Sequence, residues 1–290
     1  MTAKRTILIT GGTGFIGSHL GDMLSKEGYR VIALGKTDGD IRNYSTIKRF
    51  ENEPINHVFH LAGKSFVPDS WANPREYYDV NVNGALTVLD FCKTTNISLS
   101  YVSSYLYGIP EQLPISEDTE PSPNNPYCHS KLVSENIASY FSKEFGFQLT
   151  IVRPFNVYGA NQNQSFLIPT IIKQVLYSDE IIVQDLLPKR DYVYVKDLVR
   201  ALISTIENSE SPGIYNIGSG QSISVEGVIK VVQRVLGMNK KVHSMNKERK
   251  NEISDVIADI SKARKILGWE PSFSFKDGIE EMLKENINPD

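Results

Sequence analysis

The chain has 290 residues, 40% hydrophobic and 22% charged, with 31 Lys and Arg against 34 Asp and Glu and a formal net charge of -3. That size admits one large α/β domain or a nucleotide-binding domain with a smaller companion, and the balanced charge presents no broad basic face to nucleic acid or an anionic membrane. Two cysteines, Cys92 and Cys128, are too few for a disulfide framework or a zinc cluster, and the first apolar run is too short for a secretory signal or a membrane span; the expectation is a cytoplasmic protein without metal.

Ile7, Leu8 and Ile9 predict a first strand that stops at Thr10-Gly11-Gly12, after which Ile16, Leu20 and Leu24 recur at helical spacing. A second strand over 31–34 follows the Gly28 stop, and a third over 57–62 ends at Gly63. Too few residues separate the second strand from Asp40-Ile41 for a full crossover helix. A helix over 78–93, a strand over 98–102, a helix over 127–145 and a strand over 149–153 continue the alternation. This order predicts an α/β fold with a Rossmann-type, doubly wound parallel sheet. Past Gly159 the texture changes to a polar loop over 160–165 and an apolar helix over 166–176. We therefore expect a dinucleotide-binding domain over 1–158 and a smaller α/β substrate domain over 159–290, with a strand and helix near 190–206 rejoining the first domain.

Gly11, Gly14 and Gly17 stand three apart between the first strand and first helix. Glycines there permit a tight turn and close approach of a pyrophosphate to the free N–H groups of a helix start. The second strand ends on Gly35 and Lys36, where an acid usually accepts the ribose hydroxyls of NAD. A cation in that place suits a 2′-phosphate, which favours NADP over NAD; the alternative is a solvated Lys36 with Asp38 or Asp40 supplying the acid. Tyr127 and Lys131 fall one helical turn apart on one face, and an ammonium beside a phenol is expected to lower its pKa from about 10.

With these features, the sequence resembles the extended short-chain dehydrogenase/reductases that act on nucleotide sugars as epimerases, dehydratases and reductases. The likeness runs through Thr10-Gly-Gly-Thr-Gly-Phe-Ile-Gly17, His60-Leu-Ala-Gly63, Asn81-Val-Asn-Gly84, Val102-Ser-Ser-Tyr-Leu-Tyr-Gly108, Tyr127-Cys-His-Ser-Lys131 and Arg153-Pro-Phe-Asn-Val-Tyr-Gly159. It continues through Arg190-Asp-Tyr-Val-Tyr-Val195, Tyr215-Asn-Ile-Gly-Ser219 and Leu267-Gly-Trp-Glu-Pro271. The resemblance implies that Ser103 hydrogen-bonds the reacting oxygen, Tyr127 transfers the proton, and Lys131 holds the nicotinamide ribose and tunes Tyr127. It implies a cofactor on the turn of Gly11, Gly14, Phe15, Ile16 and Gly17, with Asp40 and Ile41 at adenine, Leu61, Ala62 and Gly63 along it and Ser65 near its phosphates, to which the charge argument adds Lys36 at the ribose. Asn156, Arg190 and Arg249 are similar to residues that hold a sugar nucleotide's diphosphate, with Phe166 and Leu167 near its base.

Blander readings stand beside these. Arg190 is a local partner of Asp191, Arg249 belongs to a solvated run over 247–250, and Trp269 is core. Cys128 and His129 are packing residues, because adjacent helix positions do not face one another. Dehydratases and decarboxylating relatives carry acids where this chain has Ser104 and Tyr105. Two reactions at the sugar C4 remain: reduction of a nucleotide-linked 4-keto-6-deoxy sugar, which Gly35-Lys36 and the 65–71 stretch favour, and NAD-dependent 4-epimerisation as the alternative. A non-catalytic dinucleotide sensor is disfavoured by the retention of Ser103, Tyr127 and Lys131. The resemblance also implies a homodimer paired through the helices near 81–93 and 127–145.

Overall fold

In the computed structural model, which describes residues 5–208, 210–247 and 252–287, the first strand β1 (Thr6–Thr10) is buried at every position. Burial on both faces is what a parallel strand between two helical layers requires. There follow α1 (Phe15–Lys26), β2 (Arg30–Leu34), a single turn α2 (Ser45–Lys48), β3 (Ile55–His60), α3 (Val67–Ala72), α4 (Pro74–Tyr78), α5 (Gly84–Thr95), β4 (Ser98–Val102) and the long α6 (Pro126–Phe145). Next come β5 (Leu149–Pro154), β6 (Asn156–Tyr158), α7 (Leu167–Tyr177), β7 (Glu180–Val183), β8 (Lys189–Tyr194), α8 (Val195–Glu207) and β9 (Gly213–Ile217). The chain closes with β10 (Ser222–Ser224), α9 (Val225–Leu236), β11 (Lys241–Ser244), α10 (Ser261–Leu267) and α11 (Phe275–Ile287).

Six strands form one parallel sheet in the order β2-β1-β3-β4-β5-β9. The winding direction switches between β1 and β3, so a crevice opens beyond their carboxyl ends, the place where doubly wound sheets bind ligands. As the short spacing requires, β2 and β3 are joined through only a 3-10 turn (Lys36–Asp38) and α2, and β2 is left at the sheet edge. The expected single helix over 78–93 is interrupted. A π turn over Asp79–Asn83 separates α4 from α5 and faces Asn81 inward, where its Oδ1 accepts the Lys64 N–H at 2.8 Å and its Nδ2 donates to Ser130 Oγ at 2.8 Å. The wider turn exchanges helical regularity for a buried amide that ties the loop after β3 to α6.

A three-stranded sheet, β10-β8-β6, and a parallel pair, β11-β7, flank the crevice. The strand within the 190–206 segment lies in the small sheet, whereas the helix after it packs on α1 and β9 pairs with β5 in the large one. Asp197 on α8 is buried and accepts the Ser272 and Phe273 N–H groups, and Trp269 donates its ring N–H to the Asp197 carbonyl at 2.9 Å. Trp269 is thus core, as its position suggested, and it fastens the C-terminal segment to α8. Cys92 and Cys128 are buried and free. Among the described residues no helix is long and apolar enough to cross a membrane, and no group of three or more His, Cys, Asp or Glu is placed to hold a metal ion.

Two buried histidines on β3 carry a consequence for stability. His57 lies between Ser98 Oγ (2.7 Å) and Ser100 Oγ (2.9 Å), and His60 Nδ1 lies 2.6 Å from Thr10 Oγ1. Burial pushes both side chains down to about 3, with the neighbouring Lys131 adding to the effect at His60. Unfolded histidine takes a proton near pH 6.5, which the folded rings refuse, so the unfolded state gains protons as pH falls through that value. The melting temperature is expected to fall steadily from pH 7 to pH 4.5, and His57→Gln should flatten that fall; an identical slope in the variant would rule out this origin.

Candidate functional site

The site begins with backbone contact at the first turn. A Cβ on Gly17 would stand 2.2 Å from the Gly11 carbonyl oxygen, and one on Gly11, whose φ is 74°, 2.7 Å from the Ala62 nitrogen. Only glycine allows this turn to seat against the loop after β3. No side chain caps the helix start at Gly14, and Gly14, Phe15, Ile16 and Gly17 all line the cleft beyond it. Leu61, Ala62, Gly63 and Ser65 line it from the β3 side, and Lys36, Asp40 and Ile41 from the β2 side. The cleft encloses about 1670 Å³. Single-ligand pockets run to roughly 300–1,000 Å³, so this one has room for a dinucleotide and a second large ligand together.

At the end of β2, the Asp38 carboxylate accepts the Gly35 N–H at 2.8 Å, and a Cβ on Gly35 would strike Thr13 Oγ1 at 2.1 Å. Asp40 is occupied by Arg42, whose N–H and Nε both donate to its Oδ1 at 3.0 Å. Arg42 also pairs with Asp79 on the π turn, a partnership that crosses 37 residues of chain and was not apparent in the sequence. Lys36 is exposed on the cleft rim.

Ser103 follows β4 directly, and its hydroxyl is buried without a hydrogen-bond partner. Tyr127 opens α6, whose N-cap Asn125 accepts the Cys128 N–H at 2.9 Å. Lys131 is buried one turn on; its Nζ donates to the Val102 carbonyl at 2.7 Å and sits 4.3 Å above the Tyr101 ring. The sequence expectation for this pair needs correction. Burial, with Cys128 adding to it, raises the Tyr127 phenol above its ordinary value, against a lowering by the Ser104 hydroxyl. Burial likewise pushes Lys131 down to about 7, while Glu135 acts in the opposite direction. Desolvation thus sets both directions, rather than the mutual tuning that the spacing suggested. The Tyr77 ring meets Tyr127 edge-on at 6.3 Å. Cys128 is buried under the cleft, with its thiol raised to about 11 by burial, while His129 points away and bonds the Tyr78 hydroxyl at 2.9 Å.

On the far wall, Asn156 donates to the Asp191 carbonyl at 3.1 Å, and Phe166 and Leu167 stand at the start of α7. Arg190 lines the cleft but is not a partner of the Asp191 side chain. Its guanidinium pairs with Glu252 and donates to the Lys189 and Ile253 carbonyls, while Asp191 turns inward to the N–H groups of Ser219, Gly220 and Ala258. Glu252 is a cleft residue that the sequence reading missed; the one signal was an acid three positions past Arg249. Arg249 itself lies outside the described residues. Phe66 was also missed: its ring meets Phe166 at 5.5 Å across the cleft.

The arrangement is a glycine turn at a strand switch point, with a serine, a tyrosine and a lysine beside it. Comparison with known proteins gives it a family. Residues 7–218 match the model of the NAD dependent epimerase/dehydratase family. The chain belongs to that family. Among curated proteins it is similar to a UDP-glucose 4-epimerase of Lactobacillus helveticus, 32% identical over 94% of each chain. Among solved structures it is similar to UDP-glucose 4-epimerase from Bifidobacterium longum in complex with NAD+ and UDP, with TM-score 0.90 and 29% identity over 98% of this chain and 99% of that one. It is equally similar in fold to RMD from Pseudomonas aeruginosa complexed with NADPH, with TM-score 0.90 and 26% identity over 97% and 98%. The epimerase/dehydratase chain should depend on its Gly11–Gly17 contact for dinucleotide binding. Gly17→Ala is expected to weaken NADH and NADPH binding at least tenfold, about 1.4 kcal/mol, measured by fluorescence titration with circular dichroism as the check on folding; unchanged affinity would overturn that assignment.

Proposed function

We propose that this protein is a nucleotide-sugar 4-epimerase that retains a nicotinamide dinucleotide, with a sugar nucleoside diphosphate of the UDP-glucose kind as substrate. The supporting observation is the chemistry that the cleft lacks. Among the described residues, every carboxylate lining it is engaged: Asp40 by Arg42, Asp69 and Glu76 by Lys64, Asp185 by the Leu187 N–H, and Glu252 by Arg190. Ser104 and Tyr105 occupy the cleft positions beside Tyr127, so no carboxylate follows Ser103 there. That leaves proton transfer by Tyr127 as the acid–base equipment, which suits reversible oxidation at C4 and does not suit elimination.

In this mechanism a nicotinamide dinucleotide, which the Gly11–Gly17 turn, the Leu61–Gly63 loop and Lys131 would hold, would supply the hydride acceptor and donor. The Ser103 hydroxyl, which lacks a protein partner, holds the C4 oxygen. Tyr127 takes the proton from that hydroxyl as C4 loses hydride, and returns it after the keto sugar has turned its other face. Burial raises the Tyr127 phenol, which favours its protonated form, the form that donates to a keto oxygen. Lys131 supplies positive charge beneath the pair. The large cleft would admit the turning of the sugar, and Arg190 and Asn156, which line it, would meet the diphosphate. For Arg190 this means exchanging Glu252 for phosphate oxygens, for which its planar fork is suited.

One observation favours a second reading, a 4-keto-sugar reductase using NADPH. Lys36 is exposed at the rim, and the two acids near it, Asp38 and Asp40, are turned to Gly35 and Arg42. One experiment separates the two. Near-stoichiometric NAD released from freshly purified, denatured protein, with interconversion of UDP-glucose and UDP-galactose, is expected of the epimerase. An empty site with preference for NADPH would transfer the assignment to the reductase. Under either reading Tyr127→Phe should reduce turnover at least 100-fold with cofactor affinity nearly unchanged; surviving turnover would remove Tyr127 as proton carrier. We further propose a homodimer through the outer faces of α5 and α6, where Tyr140 is 61% exposed. Light scattering should report twice the chain mass, and Tyr140→Glu should lower it.

A further inference from the structure

Behind Tyr127 and Lys131 lies a buried ion pair to which the proposed chemistry gives no task. Glu135 on α6 and Arg153 on β5 have side chains each only 3% exposed. Arg153 Nη2 donates to Glu135 Oε2 at 2.6 Å and its Nε to Oε1 at 3.1 Å. Its Nη1 donates to the Tyr107 hydroxyl at 3.0 Å, which donates to Asn216 Oδ1 at 2.6 Å, and the Asn216 amide donates to the Ile115 carbonyl at 3.0 Å. The chain of bonds thus runs from the catalytic helix through β5 to the loop after β4 and to β9. Withdrawing two charges from water is costly, and an apolar pair of similar volume often packs as well or better. A role beyond packing is called for.

We propose that Glu135 is a positioning residue for proton transfer: its carboxylate, anchored by Arg153 one helical turn from Lys131, keeps the Lys131 ammonium charged in the interior. This rests on the assignment of Tyr127 and Lys131 as the proton-transferring pair. Residues four apart on a helix share one face, and here that face is turned toward the sheet, with Lys131 and Glu135 both buried. The groups around the Lys131 amine come from four elements. They are Tyr127 and Glu135 on α6, the Tyr101 ring on β4 with the nearby Ser103, His60 on β3, and Arg153 on β5 behind Glu135. Glu135 is the one anion in this set. His60 stays neutral, and the Val102 carbonyl offers a dipole but no charge. A buried ammonium facing only dipoles gives up its proton. Burial lowers Lys131 to about 7 and Glu135 opposes that lowering, while Arg153 fixes the carboxylate.

The test reads Lys131 directly, with no substrate involved. Protein labelled with carbon-13 at the lysine ε-carbon is titrated by NMR, and the Lys131 signal is identified by its loss in Lys131→Met. The midpoint is expected near pH 7 in the natural protein, and about one pH unit lower in Glu135→Gln, a tenfold loss of proton affinity. Glu135→Asp should recover part of the shift. Because the glutamine variant leaves Arg153 with a weaker partner, Glu135→Gln with Arg153→Met strands no buried charge and should show the same downward direction, folding being checked by circular dichroism. The alkaline limb of the kcat profile should move down with the midpoint in each variant. A folded variant with an unchanged Lys131 midpoint would overturn the proposal and leave the pair a structural brace. A shifted midpoint in a protein that epimerises nothing would keep the proposal and remove the proposed reaction instead.

Discussion

All the chemistry described above is set by one topological constraint: parallel strands joined by crossovers must all leave the sheet on the same side. Thr10, His60, Val102 and Pro154 end the four inner strands β1, β3, β4 and β5, and the residues that follow each of them line a single cleft. The glycine turn, the Leu61–Gly63 loop, Ser103 and Asn156 therefore converge without any local sequence signal that links them. The switch of winding between β1 and β3 leaves no crossover helix above that gap, so the rim is open to a ligand. The small sheet β10-β8-β6 and helix α7 supply the opposite wall.

Electrostatics in this cleft is governed by burial and pairing together. Carboxylates around the rim are matched with Arg42, Lys64 and Arg190, so that few charges are left to act on a ligand without rearrangement. Deeper in, Tyr127 and Lys131 are shifted toward their neutral forms because water is excluded. Burial favours the uncharged form of each group. The Glu135–Arg153 pair is buried as well, and its hydrogen bonds reach Tyr107, four residues after Ser103.

Under the proposed function, the choice among reactions within the family rests on subtraction. A tyrosine with serines beside it moves one proton to and from a hydroxyl; removal of a C–H proton needs a further base in reach. Ser104 is buried and Tyr105 half-buried along the cleft, where Tyr105 stacks on Phe155 at 5.3 Å and lies against Arg190. The same geometry serves epimerisation and reduction, because both pass through hydride exchange at one carbon. They differ in whether the cofactor stays between turnovers.

The sequence by itself determined the alternation of strands and helices, the glycine turn and the Tyr127–Lys131 spacing, because each follows from short-range sterics or from a fixed helical or strand period. It also determined the core role of Trp269 and the short connection after β2. Tertiary structure alone decided the partners. The Arg190–Glu252 pair spans 62 residues, the Arg42–Asp79 pair spans 37, and the Phe66–Phe166 contact joins two walls of the cleft. No periodicity encodes such meetings, since they depend on where loops of irregular conformation bring distant side chains. The break in the 78–93 helix belongs to the same class: the Asn81 side chain gains its buried hydrogen bonds only once α6 and the loop after β3 are in place. The signs of the Tyr127 and Lys131 shifts follow likewise, because spacing specifies which charges are neighbours but only packing specifies how far water is removed from them.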